Sequence, residues 1–146
     1  MIYMLDTDTV IFLVQGFKRT ASAKKRTRAK QIILTCKAMR ALGNVIGIST
    51  ISLCELEFGC RNSGQYSMEL QVLTRVIKRF VLYPFDTSAC VFQYGMTKLH
   101  LSNSGTLIGE LDLLIASHAL ALSATVVTNN TAHFNRVPGL KTVNWS

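Results

Sequence analysis

The chain has 146 residues, 16 Lys and Arg against 8 Asp and Glu, and a formal net charge of +8. With 49% hydrophobic and 16% charged residues it is composed like one compact globular domain over residues 1–146, which excludes a disordered chain. The cationic surplus favours a polyanionic or acidic partner.

The apolar run "IYML" (2–5), cut off at Asp6, predicts a buried strand. "TDTVIFLVQG" predicts a helix with Thr7 or Asp8 as N-cap and Gly16 as its stop. Residues 17–30 hold Lys18, Arg19, Lys24, Lys25, Arg26, Arg28 and Lys30 with no acid, and merge into a helical pattern through Ile32, Ile33, Cys36, Met39 and Leu42. "NVIGIST" (44–50) predicts a second strand, with helices over 51–60 and about 66–80. "VLYPF" is extended, since Pro84 does not suit a helix interior. Asp86 is the expected cap of a helix running to about His100, and 101–106 an expected loop. A helix over 110–122, a strand "TVVT" (125–128), a polar turn and a last short strand in "LKTVNW" complete the pattern. Strands alternating with helices predict an α/β fold with a central parallel sheet flanked by α-helices.

Cys36, Cys54, Cys60 and Cys90 form no CxxC pair and lie at no ligand spacing from the histidines. They read as small core residues in a reducing compartment, not as a zinc site. "MIYMLDTDTV" lacks a basic flank and meets an acid at Asp6, unlike a secretory signal. The apolar run after Gly109 contains Glu110, Asp112 and His118, so it is not read as a membrane span. A cytoplasmic protein is expected.

In parallel sheets, sites form beyond the carboxyl ends of the strands. Asp6 ends the first strand, Glu55 follows the second, and Asn129 and Asn130 end "TVVT". Glu110 and Asp112 open the helix leading into that strand. Glu57 has Arg61 four residues on, an ordinary helix pair. Glu55 has no such partner and apolar neighbours. Asp112 is ringed by Leu111, Leu113, Leu114 and Ile115, so its helix is expected to be buried all round. Two carboxylates about 4 Å apart repel by roughly 4 kcal/mol at an effective dielectric of about 20. Three that converge need a cation, and oxygen-only ligands suggest Mg²⁺ or Mn²⁺. His118 is expected to face elsewhere.

Taken in order, "MLDTD", "ISTISLCELEFG", "YGMTKLHLSNSGTLIGELDLLIASHALAL" and "TVVTNNTAHFNRVPGLKTVNW" resemble the VapC toxins of the PIN-domain family. The likeness is thin only over about residues 16–44. The resemblance implies a PIN-like fold, a metal-dependent endoribonuclease acting on tRNA or rRNA, a VapB antitoxin and a homodimer. By motif, Asp6, Glu55 and Asp112 take the places of the family's metal-holding catalytic acids, and Glu110 falls where many relatives carry a further acid. The family's fourth acid lies in a "TRD" or "TRNxxDF" element. Here the text is "TNNTAHF", with Asn130 in the first position and His133 in the second. Asn130 is then a candidate to orient the water that attacks the phosphodiester, leaving a 5′-phosphate and a 3′-hydroxyl. Two alternatives stand beside this reading. "LDTDTV" also fits the strand-end motif of haloacid dehalogenase-like phosphatases, although that leaves Glu55 idle. The missing fourth acid fits a PIN-like module that binds RNA or protein without cutting it.

Overall fold

The computed structural model describes all residues, 1–146. Its elements run β1 (Ile2–Leu5), α1 (Thr7–Phe17), α2 (Ala23–Ala41), β2 (Val45–Ser49), α3 (Thr50–Asn62), α4 (Tyr66–Ile77), β3 (Val81–Tyr83), α5 (Ser88–Asn103), α6 (Glu110–Ala121), β4 (Thr125–Val127), α7 (Thr131–Phe134) and β5 (Lys141–Val143). The five strands form one sheet in the order β3-β2-β1-β4-β5, every pair parallel. The expected α/β architecture is therefore what the chain adopts.

Side-chain alternation in β1 builds two cores. Leu5 joins Val10, Leu13, Ile32, Ile48 and Val76 on the face covered by α1, α2 and α4. Met4 joins Leu101, Leu113, Ile115, Val126 and Phe134 on the face covered by α5, α6 and α7. Each fully buried aliphatic side chain contributes about 1.5–3 kcal/mol of transfer free energy. Two glycines permit close approach. A Cβ on Gly47 would stand 2.3 Å from the Tyr83 ring across the β2–β3 pairing. One on Gly16 would stand 2.2 Å from Ala29 Cβ, where α1 crosses α2.

Several expectations are corrected. Asp6 caps α1, not Thr7 or Asp8, because its side chain accepts from Thr9 N. Gly16 lies inside α1, not at its stop, since α2 needs a residue without a side chain there. Thr87, not Asp86, caps α5, and the helix runs on through Leu101, whose burial in the second core holds that turn in place. The polar turn after β4 contains the single-turn α7, anchored by buried Phe134. Cys54 is exposed, unlike the other three cysteines, and all four are free thiols. No helix is long and apolar enough to cross a membrane.

The sheet order also locates the switch point. The chain leaves β1 for β2 on one side and returns to β4 on the other. The crevice at the carboxyl ends of β1 and β4 is where such sheets bind ligands.

Candidate active site

Asp6 sits at that switch point. Its backbone N–H donates to Val127 O at 3.0 Å, extending the β1–β4 ladder by one residue. Its Oδ1 accepts from Thr9 N at 2.8 Å, and its Oδ2 accepts from the Thr128 hydroxyl. The carboxyl is buried, with 3% of the residue exposed. Burial raises its pKa above the ordinary value, against the lowering effect of the Thr128 and Thr9 hydrogen bonds.

Glu55 comes from the second turn of α3, which starts directly from β2 with Ser49 as its cap. Its Oε1 accepts from Thr7 Oγ1 at 2.7 Å, so the residue after Asp6 orients the acid of α3. Asp112 stands in the first turn of α6. That turn is open: Leu111 is 41% exposed and the Asp112 side chain 32%. The expectation of a helix buried all round is thus corrected; full burial begins at Ile115 and continues to Ala119. The exposed side of the first turn carries Glu110, Leu111 and Asp112 while Leu113 is already buried, and this is why an apolar segment can begin with carboxylates.

Glu110 points away from the crevice. It accepts from the Tyr94 hydroxyl and pairs with Lys98 Nζ at 3.3 Å, both on α5. Asn130 stands at the head of the single turn α7 without a side-chain cap bond, and its backbone N–H donates to Thr128 Oγ1 at 2.9 Å. Its Nδ2 lies 2.8 Å from His133 Nδ1, which lies 3.4 Å from Asp112 Oδ2. His118 faces away from the acids, as expected of a core or surface histidine: it is buried, with Nδ1 2.8 Å from Ser49 Oγ. It ties α6 to the head of α3, and so links the helices carrying Asp112 and Glu55.

The pairing of the acids separates them into two sets. Glu57, Glu69 and Glu110 each hold a lysine or arginine. The other five of the 8 acids, Asp6, Asp8, Glu55, Asp86 and Asp112, hold none in a chain with 16 such cations; of these, Asp6, Glu55 and Asp112 are the ones tied into side-chain hydrogen bonds at the crevice, with Thr128, Thr7 and His133. A buried carboxylate without a counter-charge is unfavourable, and an oxygen-rich rim of this kind suits a hard divalent cation. As they stand, no three His, Cys, Asp or Glu side chains converge closely enough to hold an ion. Thr7, Thr128 and His133 each keep one acid in a hydrogen bond instead. The donor chemistry fits a metal, and rotation of these side chains is what loading one requires.

Sequence reasoning missed Thr7, Thr128 and Ser49. The only signal for them was a hydroxyl beside each acid or strand end in "LDTD", "VVTNN" and "IST".

The PIN domain model matches residues 3–140. Over 145 residues the chain is 35% identical to ribonuclease VapC2 of Rickettsia felis, covering 99% of this chain and 98% of that one. It is 31% identical over 144 residues to a tRNA(fMet)-specific endonuclease VapC of Shigella flexneri, covering 99% and 98%. The crystal structure of VapBC2 from Rickettsia felis bound to a DNA fragment from their promoter contains a chain that superposes with a TM-score of 0.83 at 34% identity, over 100% of both chains. The alternating α/β chain with acids at its strand ends is thus a PIN domain, and it belongs to the VapC ribonuclease family. The dehalogenase-like reading falls with that assignment, and no lysine stands by Asp6 to serve such a phosphatase.

Proposed function

We propose that this chain is a divalent-metal-dependent endoribonuclease that cuts structured RNA, tRNA foremost, in the cytoplasm, and is restrained by a VapB-type antitoxin. The observation that carries the proposal is the set of three carboxylates at the switch point without a lysine or arginine partner in a strongly cationic protein. The ribonuclease and tRNA endonuclease relatives support an RNA substrate, and the similar chain in the VapBC2 structure supports an antitoxin partner. The free cysteines are consistent with a reducing cytoplasm.

Asp6, Glu55 and Asp112 would hold Mg²⁺ or Mn²⁺, which supplies charge neutralisation for the phosphodiester and activation of water. Asp6 brings a carboxylate fixed by Thr9 N and Thr128. Thr7 limits the rotamers of Glu55. Asp112 faces solvent enough to release His133 and turn inward. Asn130 presents its amide beside them and orients the water for in-line attack. Glu110 joins the metal only by giving up Lys98 and Tyr94, so it acts at the margin. The antitoxin's tail is expected to place a basic side chain among the three acids. A second copy is expected on α5, whose Val91, Phe92, Met96 and Leu99 are all more than half exposed. Phe92→Glu should turn a dimer into a monomer by light scattering; a wild-type chain that is already monomeric contradicts the dimer.

The test of the function is incubation of purified chain with total tRNA, with Mg²⁺ or Mn²⁺ and with EDTA. Cleavage that requires the ion supports the reading. Intact RNA under all conditions, with the chain bound to it, would instead leave a binding module.

A further inference from the structure

We propose that His118 is a positioning residue for two of the acids: its bond to Ser49 fixes α6 against α3 and so sets the backbone spacing across which Asp112 and Glu55 reach one cation. The inference rests on the endoribonuclease reading for what those acids do.

The bond is built from both sides. His118 Nδ1 lies 2.8 Å from Ser49 Oγ, and both residues are buried. The Pro84 carbonyl also hydrogen-bonds the ring. A carbonyl only accepts, so the neutral ring turns its N–H to Pro84, and Nδ1 accepts from the Ser49 hydroxyl. That hydroxyl in turn accepts from Ile51 N at 3.1 Å, as the cap of α3. The Phe85 ring meets the imidazole edge-on, with centroids 5.4 Å apart, and Phe85 N donates to Thr50 Oγ1 at 3.1 Å. Each donor of this junction meets an acceptor, which favours a single arrangement of α6, α3 and the segment after β3.

The lever arms make that arrangement matter to the acids. Asp112 stands six residues before His118 on α6, and Glu55 six residues after Ser49 on α3. At about 1.5 Å of rise per residue, each acid is roughly 9 Å of helix from the shared bond. Tilting either helix about that bond by about 6° moves a carboxylate by roughly 1 Å, a displacement that can cost about 100-fold in rate. Apolar contact, such as Ile51 packed on the core that holds Leu113 and Ile115, resists separation of the helices but is non-directional and fixes no register. Asp6 is set separately, by the β1–β4 ladder. The rival role is purely structural: a buried imidazole that satisfies its own polarity and stabilises the fold without placing the acids.

Two single variants and their double separate the two roles. His118→Phe removes the bond and leaves the cap of α3. Ser49→Ala removes both, and deletes only one oxygen, so a folded variant is available whatever the larger exchange does. Each single variant, assayed well below its melting temperature, should bind Mn²⁺ roughly tenfold more weakly than wild type by electron paramagnetic resonance. At saturating Mn²⁺, kcat on total tRNA should fall at least about tenfold while KM stays within about twofold. The double variant should bind Mn²⁺ about as weakly as the weaker single, not roughly 100-fold more weakly than wild type, because both exchanges act through one bond. Lower melting temperatures with wild-type Mn²⁺ affinity and kcat in the single variants overturn the positioning role and leave the endoribonuclease reading intact. Fully additive losses in the double overturn it too. A wild type that neither binds Mn²⁺ nor cuts tRNA overturns both readings.

Discussion

Thr128 donates its hydroxyl to Asp6 Oδ2 across the junction of β1 and β4, while Asp6 Oδ1 caps α1 through Thr9 N. One buried carboxylate thereby closes the sheet, starts a helix and faces the crevice. Its pKa is raised by burial above the ordinary 3.8. The folded state holds the proton more tightly than the unfolded chain does. Stability therefore falls as pH rises from 3.8 through the raised value, and the penalty is complete above it.

Asp6→Asn keeps the cap on Thr9 N through its one amide oxygen, turns the Thr128 hydroxyl from donor into acceptor of its Nδ2–H, and removes that penalty. Without divalent ions at neutral pH it should melt above wild type, and the gap should close as pH falls below 3.8. Mg²⁺ or Mn²⁺ should raise the melting temperature of wild type only, since binding to the native state stabilises it. A lower melting temperature for Asp6→Asn at neutral pH without metal contradicts this account of Asp6.

The His118–Ser49 pair titrates the other way. Burial lowers the His118 pKa, with Asp86 and the Pro84 carbonyl pushing it back up. The unfolded chain binds this proton more readily than the folded one. The stability is present above the ordinary 6.5 and is lost as pH falls through it. Urea unfolding should show wild type little changed from pH 8 to 7 and weakening as pH falls below 6.5, with a slope approaching one bound proton. His118→Asn should lose about 1–3 kcal/mol at pH 8 through the disturbed pair and show a flatter pH dependence. Equal pH slopes would remove His118 as the acid-sensitive link between α6 and α3.

The alternation of apolar strands and amphipathic segments was enough to read the parallel sheet, because burial on both faces leaves continuous runs such as "IYML". The acids at strand ends were readable for the same reason: a charge that ends an apolar run must lie at the rim. What stayed hidden was contact between distant segments. Nothing local tells that Thr7 reaches Glu55, 48 residues on, or that Thr128 reaches Asp6. Gly16 read as a helix stop because its real cause, the crossing at Ala29, lies on another helix. Asp112 reads as sunk among leucines because the sequence does not record which side of a helix's first turn its neighbours leave open.

The basic segment gives a third expectation. In α2 Arg26 donates to Arg19 O at 2.7 Å and Arg28 stacks over Phe12 at 4.4 Å, whereas Lys24 and Lys25 are exposed and make no ion pair. Replacing both lysines by alanine should weaken RNA binding and lower the slope of log affinity against log salt by about 1–2. Stability should stay within about 0.5 kcal/mol of wild type. An unchanged slope would mean that this face is solvated and touches no phosphate.

The most direct measurement is Mn²⁺- or Mg²⁺-dependent cleavage of total tRNA by Asp112→Asn, beside Glu57→Gln as control. Glu57 is held by Arg61 at 3.0 Å and Tyr66 at 2.6 Å, with no hydrogen bond to a crevice residue. The account predicts that Asp112→Asn folds, melts near wild type and cuts at least about 100-fold more slowly, while Glu57→Gln cuts at the wild-type rate. Near wild-type cleavage by Asp112→Asn would contradict it and leave that carboxylate only a partner for the dipole of α6.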